Sequence, residues 1–288
     1  MALPSVLARH SRGPLGSSGS FIARSAGSPW RHSPLISGLG HQLRSAHQAA
    51  GLSSEHAKLR AEIAGSRLRV STGCITDIEG VDAIINCANE HLVGTKLPYV
   101  NLDGSGGCIF ECMDRTVHSR AGPELLEACM ALDIVEGSES ATWAGIRCPV
   151  GEARVTPSFA LPNCRHIVHV VGPPWPSDAD ELRDAYAAGI AAALGAADAG
   201  RAQPLGVRSL AVPALSAGIY QWPRDMSWAV AVQTVGGHLL EAALHRSPSQ
   251  GTALESVTFA AFDAASAAEV DECILRWVDG TLTDDGLL

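Results

Sequence analysis

The chain has 288 residues, 46% of them hydrophobic and 18% charged, with a net charge of −9. That length holds one large or two small domains, and that composition fills a globular core. The negative balance argues against a general nucleic-acid-binding surface, and every long apolar run is broken by proline, glycine or charge before it reaches bilayer length.

The first 54 residues contain no Asp or Glu, but carry Arg9, Arg12, Arg24, Arg31 and Arg44 among many Ser, Gly and Ala. An arginine-rich, serine-rich, acid-free amino terminus reads as a transit peptide to mitochondrion or plastid. The plainer reading is a disordered leader with no address, which leaves the protein cytoplasmic. The folded domain is expected over 55–288. Several of its eight cysteines (Cys74, Cys87, Cys108, Cys112, Cys129, Cys148, Cys164 and Cys273) lie in apolar runs. In a chain this long they suggest buried reduced thiols rather than a disulfide scaffold.

Apolar periodicity predicts the elements in order. Residues 55–63 read as a short helix, and 67–71 and 83–86 as strands. A Gly-rich loop follows over 91–111. Helices are expected over 114–120 and, opening on Pro123, to about 132. Residues 136–147 form a polar insertion. Strands follow at 153–156 and 166–170. Leu182, Tyr186, Ile190 and Leu194 keep helical spacing within 179–197. A strand at 209–212 precedes a helix opened by Pro223. The last strand is 256–260 and the last helix 265–278. Strands alternating with helices predict a three-layer α/β/α domain.

Two segments stand out for chemistry. Val81-Asp82-Ala83-Ile84-Ile85-Asn86-Cys87-Ala88-Asn89 is an apolar run that stops at polar residues, and so is Val212-Pro213-Ala214-Leu215-Ser216-Ala217-Gly218-Ile219-Tyr220-Gln221-Trp222-Pro223. Open α/β sheets bind ligands at the carboxyl ends of their strands. Asn89 and the turn 216–220 are therefore candidates for one cleft. Glycine-containing loops admit anions close to backbone N–H groups, which suits Gly218 and also Gly104-Ser105-Gly106-Gly107. Asp114 is placed to cap the helix it opens, and a carboxylate there can also orient water. Ala214-Leu215-Ser216-Ala217-Gly218 approximates a nucleophile elbow. However, it lacks the first glycine, and no His occurs beyond His245 to complete a hydrolase triad.

Six stretches in order resemble the macrodomain, the ADP-ribose-binding α/β module. They are Gly73-Cys74-Ile75-Thr76, the run from Val81 to Asn89, Cys112-Met113-Asp114-Arg115-Thr116-Val117-His118, Gly151-Glu152-Ala153 with Leu161-Pro162, Val168-His169-Val170-Val171-Gly172-Pro173, and the run from Pro213 to Pro223. The resemblance covers about 67–278. It implies a mixed central sheet and a monomer whose partner is ADP-ribose or ADP-ribosylated protein, with no nucleic acid and no membrane. Asn89 would hold the distal ribose and Asp114 would order water. Ser216, Ala217, Gly218, Ile219 and Tyr220 would clamp the diphosphate, with Gly106 and Gly107 as a first glycine loop. Cys74 and Ile75 would lie at the adenine. Phe262 would either stack on the base or pack in the core.

The implied activity is hydrolysis of mono-ADP-ribose from acidic side chains, or of O-acyl-ADP-ribose. The alternative is a reader that binds ADP-ribose without turnover, and a third reading is an interaction scaffold. Three departures bear on this choice. Cys74 replaces an aspartate that meets the adenine amino group. Six residues separate Gly107 from Asp114. Ala217 replaces a threonine. No cofactor is expected. One macrodomain branch carries zinc near this loop, and Cys108, Cys112 and His118 (or His91) would be the remodelled set, although two cysteines four apart also occur as unrelated thiols.

Overall fold

The computed structural model describes residues 54–95, 112–135, 145–195, 205–244 and 254–283. The leader over 1–53, the glycine loop with Gly106 and Gly107, and Cys108 lie outside the described residues.

The four inner strands of the sheet bury both faces, and their alternate residues enter different clusters. In β2 (Ala83–Cys87), Ile85 joins a large cluster while Ile84 joins a smaller one on the opposite face. Near-continuous apolar strands of this kind belong to sheets covered on both sides. The other strands are β1 (Leu68–Thr72), β3 (Ala153–Pro157), β4 (His166–Val170), β5 (Ser209–Val212) and β6 (Ser256–Ala261). They form one mixed sheet in the order β1-β6-β5-β2-β4-β3. β3 runs antiparallel to β4, and the other pairings are parallel.

The helices are α1 (Ser54–Arg67), α2 (Met113–Ala121), α3 (Pro123–Met130), α4 (Ala179–Ala193), α5 (Arg224–Leu244) and α6 (Ala264–Asp279). Helices α1, α4, α5 and α6 supply the large cluster, and α2 and α3 the smaller one. This is the three-layer α/β/α arrangement. Helix α3 shows how the sequence chooses its face: Leu125 is fully buried, whereas its neighbour Leu126 is exposed. Burying one such leucine contributes about 2 kcal/mol.

Element ends differ modestly from the sequence pattern. Helix α1 runs four residues past 63, because Ala64 is fully buried and the Ser66 hydroxyl donates to the Glu62 carbonyl. Helix α4 stops at Ala193 rather than 197, and Gly195 follows at φ 81°, a left-handed conformation that glycine adopts without strain. The seven described cysteines are free thiols.

Five parallel strands end at one edge of the sheet. There β1 delivers Gly73, β2 delivers Ala88 and Asn89, β4 leads to Gly172, β5 leads to the 213–222 turn, and β6 delivers Phe262. No helix among the described residues is long and apolar enough to cross a membrane.

Candidate functional site

A cleft of about 560 Å³ opens at that edge. Its size suits a small-molecule ligand. Cys74, Ile75, Asn89, Cys112, Ser216, Gly218, Ile219, Tyr220 and Phe262 all line it, so the structure brings together residues far apart in sequence. Ala217 lies within the same turn but not on the wall. Among the described lining residues there is one permanently charged group, Arg120, and no carboxylate. That balance favours an anionic ligand.

The middle of the cleft is backbone. The 213–222 turn is closed by Gln221 N–H donating to the Gly218 carbonyl (2.9 Å) and Trp222 N–H to the Ser216 carbonyl (3.0 Å). Ser216 sits at φ 60°. The N–H groups of Ala217, Gly218 and Ile219 have no partner among the described residues. Unpartnered N–H groups in succession form an anion-binding concavity. A side chain at Gly218 would meet nothing within 4 Å, so it would project into open space.

The turn is braced from behind by a residue that the sequence pattern placed only in the core. The buried Tyr186 hydroxyl accepts from Leu215 N–H (2.8 Å), donates toward the Pro213 carbonyl (3.1 Å) and lies 2.9 Å from Ser227 Oγ. Ser227 Oγ in turn donates to the Leu215 carbonyl (2.7 Å). Helical spacing identifies Tyr186 as inward-facing, but says nothing about where its hydroxyl lands.

One end of the cleft is built on a buried carboxylate. Asp114, on the first turn of α2, is 1% exposed and does not itself line the cleft. Its Oδ1 accepts from Asn86 Nδ2 (2.8 Å), and its Oδ2 accepts from Asn89 Nδ2 (3.3 Å) and Thr95 Oγ1 (2.9 Å). The carboxylate thus fixes which way both amides point, because only an N–H group can face it. Asn89 Oδ1 takes one bond, from His91 N–H (3.2 Å), and retains acceptor capacity at the cleft wall. A ribose hydroxyl is a suitable donor to it. The sequence reading has Asp114 ordering water. The structure sets the carboxylate one layer behind the cleft wall, where it is bonded to the wall residues Asn89 and Thr95.

Behind Asp114 the network continues across the sheet. Asn86 and His169 are cross-strand neighbours in β2 and β4. Asn86 Nδ2 lies 3.2 Å from His169 Nδ1, and His169 Nε2 lies 3.0 Å from Thr156 Oγ1. Since Asn86 presents N–H, His169 Nδ1 is the acceptor and Nε2 carries the proton. Burial, then the neighbouring His118, pushes the His169 imidazole down to about 3, so it stays neutral. His118 Nε2 lies 3.6 Å from Asp114 Oδ1. Its ring packs beneath Gly94, where a Cβ would stand 3.0 Å away. Gly94 is also at φ 72°, so glycine suits that position twice over. His118 therefore braces the loop.

Among the described residues, one His/Cys/Asp/Glu group has ligand atoms within 4.8 Å of one another: His118, Cys129 and His169. Cys112 is not part of it. The protonated Nε2 of His169 offers this group no lone pair, and burial, then the charge on Asp114, pushes the Cys129 thiol up to about 12. As they stand, these residues do not form a metal-ready set, and no step is assigned to a metal. Cys87 on the cleft wall is likewise held as a thiol, pushed up to about 12 by burial and then by Cys112 and Asp114.

The other end of the cleft is open. Phe262, directly after β6, is 67% exposed and lines the cleft, so it is not a core residue. Gly73 N–H donates to the Ala261 carbonyl (2.9 Å), which ties the 73–77 segment to the base of Phe262. Arg120 was missed in the sequence. It stands on the last turn of α2 and reaches Thr76 and Asp77, a contact between segments more than 40 residues apart.

The macro-domain family model matches residues 85–231 of this chain. The chain belongs to the macrodomain family. Among relatives, a macro domain-containing protein of Xanthomonas axonopodis pv. citri is 36% identical over 170 residues, which is 58% of this chain and 76% of that protein. An O-acetyl-ADP-ribose deacetylase of Citrobacter rodentium is 35% identical over 189 residues, 64% of this chain and 85% of that one. The crystal structure of a Trypanosoma brucei macrodomain in complex with ADP-ribose has a TM-score of 0.52 at 26% identity, covering 72% of this chain and 69% of that one. In this macrodomain the matched region runs from the middle of β2 through the Asp114 network and the 213–222 turn to the first part of α5.

Proposed function

We propose that the protein binds ADP-ribose in this cleft and hydrolyses the bond that attaches an acyl group, or an acidic side chain of a modified protein, to the distal ribose. The observation that carries the reading is the run of unpartnered N–H groups at Ala217, Gly218 and Ile219 beside the anchored Asn89 amide. The first suits a diphosphate and the second a ribose. The deacetylase relative and the ADP-ribose complex of a structural neighbour support the same assignment.

In ester hydrolysis, the water oxygen bonds to the acyl carbon and the ribose oxygen leaves with a proton. Asn89 holds the ribose, while Asp114 keeps Asn89 and Thr95 fixed. The rate then comes largely from holding water and the reacting carbon together. The direct test is incubation of the full chain with O-acetyl-ADP-ribose and with a protein mono-ADP-ribosylated on glutamate. Release of acetate or of ADP-ribose, lost in Asn89→Ala, is the expected result. Binding of ADP-ribose with neither release would contradict hydrolysis.

A second reading is a reader without turnover. It is favoured by the same burial that fixes Asp114: with 1% exposure and three side-chain donors on its oxygens, the carboxylate has little access to water.

A further inference from the structure

The base end of the cleft presents hydrogen-bond donors where a 6-aminopurine needs an acceptor. Phe262 marks this end, since an exposed ring on a cleft wall is a stacking face for a base. Cys74, Thr76 and Arg120 lie beside it. Arg120 Nη1 donates to Thr76 Oγ1 (2.7 Å) and pairs with Asp77. Thr76 Oγ1, itself buried, lies 2.9 Å from Cys74 Sγ.

What remains for a ligand is unequal. Sulfur is a weak acceptor, and the Thr76 oxygen already takes a guanidinium N–H. The Asp77 carboxylate is paired with Arg120 and is not on the wall. Both Arg120 contacts use Nη1, so Nε and Nη2 have no partner among the described residues. On the corresponding edge an adenine offers these donors one acceptor, N7, beside an exocyclic N–H₂ that meets them donor to donor. A 6-oxopurine would offer O6 and N7, two acceptors in the spacing that a guanidinium engages in the commonest specific arginine–base contact.

We infer that the cleft accepts a 6-oxopurine nucleoside diphosphate ribose at least as tightly as ADP-ribose, with Arg120 and Cys74 setting the choice of base. The inference rests on reading the cleft as a nucleoside-diphosphate-ribose site, and it names the class of base that site takes.

The test is calorimetric titration of the full chain with ADP-ribose and with inosine diphosphate ribose, whose bases share a ring system and differ at position 6. Wild type should bind the inosine ligand with equal or lower Kd. Arg120→Ala removes charge that both ligands feel, but it should weaken the inosine ligand about tenfold more than ADP-ribose, the worth of one good bidentate base contact. Cys74→Asp puts a carboxylate at the N-cap of the short 3-10 turn (Ile75–Asp77), a position that tolerates it, and should swing preference toward ADP-ribose by about tenfold. A wild-type preference for ADP-ribose of about tenfold (some 1.4 kcal/mol), or a ratio unmoved by both substitutions, would overturn the inference while leaving the cleft assignment standing. Binding of neither ligand would overturn both.

Discussion

The two ends of the cleft are built on opposite principles. At the ribose end, a carboxylate with 1% exposure accepts from Asn86, Asn89 and Thr95, and the network runs on through His169 to Thr156. At the base end, Arg120 and Asp77 are paired with side chains 46% and 62% exposed, and Phe262 stands largely in solvent. Exposed ion pairs contribute little to stability, whereas buried hydrogen-bonded carboxylates fix geometry and are costly to disturb. The contrast suggests that the ribose end sets chemistry and the base end sets choice of ligand. Changes at the first should move turnover and stability, and changes at the second only affinity.

The largest effect is expected from Asp114→Asn. The variant would turn an N–H group toward donors that now share a carboxylate. Turnover should fall by about a hundredfold or more, with a smaller change in ADP-ribose affinity. Stability should fall by about 1–3 kcal/mol, read from denaturant unfolding. Unchanged turnover with lowered stability would make the network structural only and would erase the contrast.

Gly218→Glu should act differently. The new side chain has room in the free protein, so Tm should hold. Its charge would face the diphosphate, weakening ADP-ribose by about 2 kcal/mol, near thirtyfold, and slowing turnover at low substrate in step. Phe262→Ala should weaken ADP-ribose by about fivefold or more through lost stacking, with kcat and Tm unchanged. A fall in Tm would show that the ring supports the fold after all.

A pH slope reads the interior of the ribose end. His169 titrates near 6.5 when unfolded and is pushed down to about 3 by burial, then by His118, in the fold. Between those values the unfolded state binds the extra proton, so stability rises with pH across the window. Stability held by the neutral ring is present above 6.5 and is lost as pH falls toward 3. His118 is lowered too, by burial and against the pull of Asp114, and adds in the same direction. Thermal melts from pH 7 to 4.5 should show a declining Tm, and His169→Gln should flatten that decline. A decline of the same steepness in the variant would assign the slope to other groups.

How far the sequence could be read follows the same division. Apolar runs alternating with helical spacing revealed the three layers, because a strand buried on two faces is continuously apolar and a helix buried on one face is periodic. Asn89 and Gly218 were visible because a polar or glycine residue stops an apolar strand where ligands bind. Asp114 was visible as a carboxylate opening a helix, but its depth was not. A capping carboxylate and a buried one look alike in sequence, and only the convergence of Asn86, Asn89 and Thr95 distinguishes them. Tyr186 and Arg120 left no signal of their roles. The first fits its helix as a core residue, and the second meets its partners across a long sequence separation.

The account rests on a diphosphate ligand held by the 213–222 turn and a ribose held at Asn89. Calorimetric titration of the full chain with ADP-ribose, beside AMP and the Gly218→Glu variant, tests that most directly. The account predicts saturable one-to-one binding of ADP-ribose, weaker binding of AMP, and marked loss in the variant. Equal affinity for AMP and ADP-ribose, or an unaltered Kd in Gly218→Glu, would contradict it.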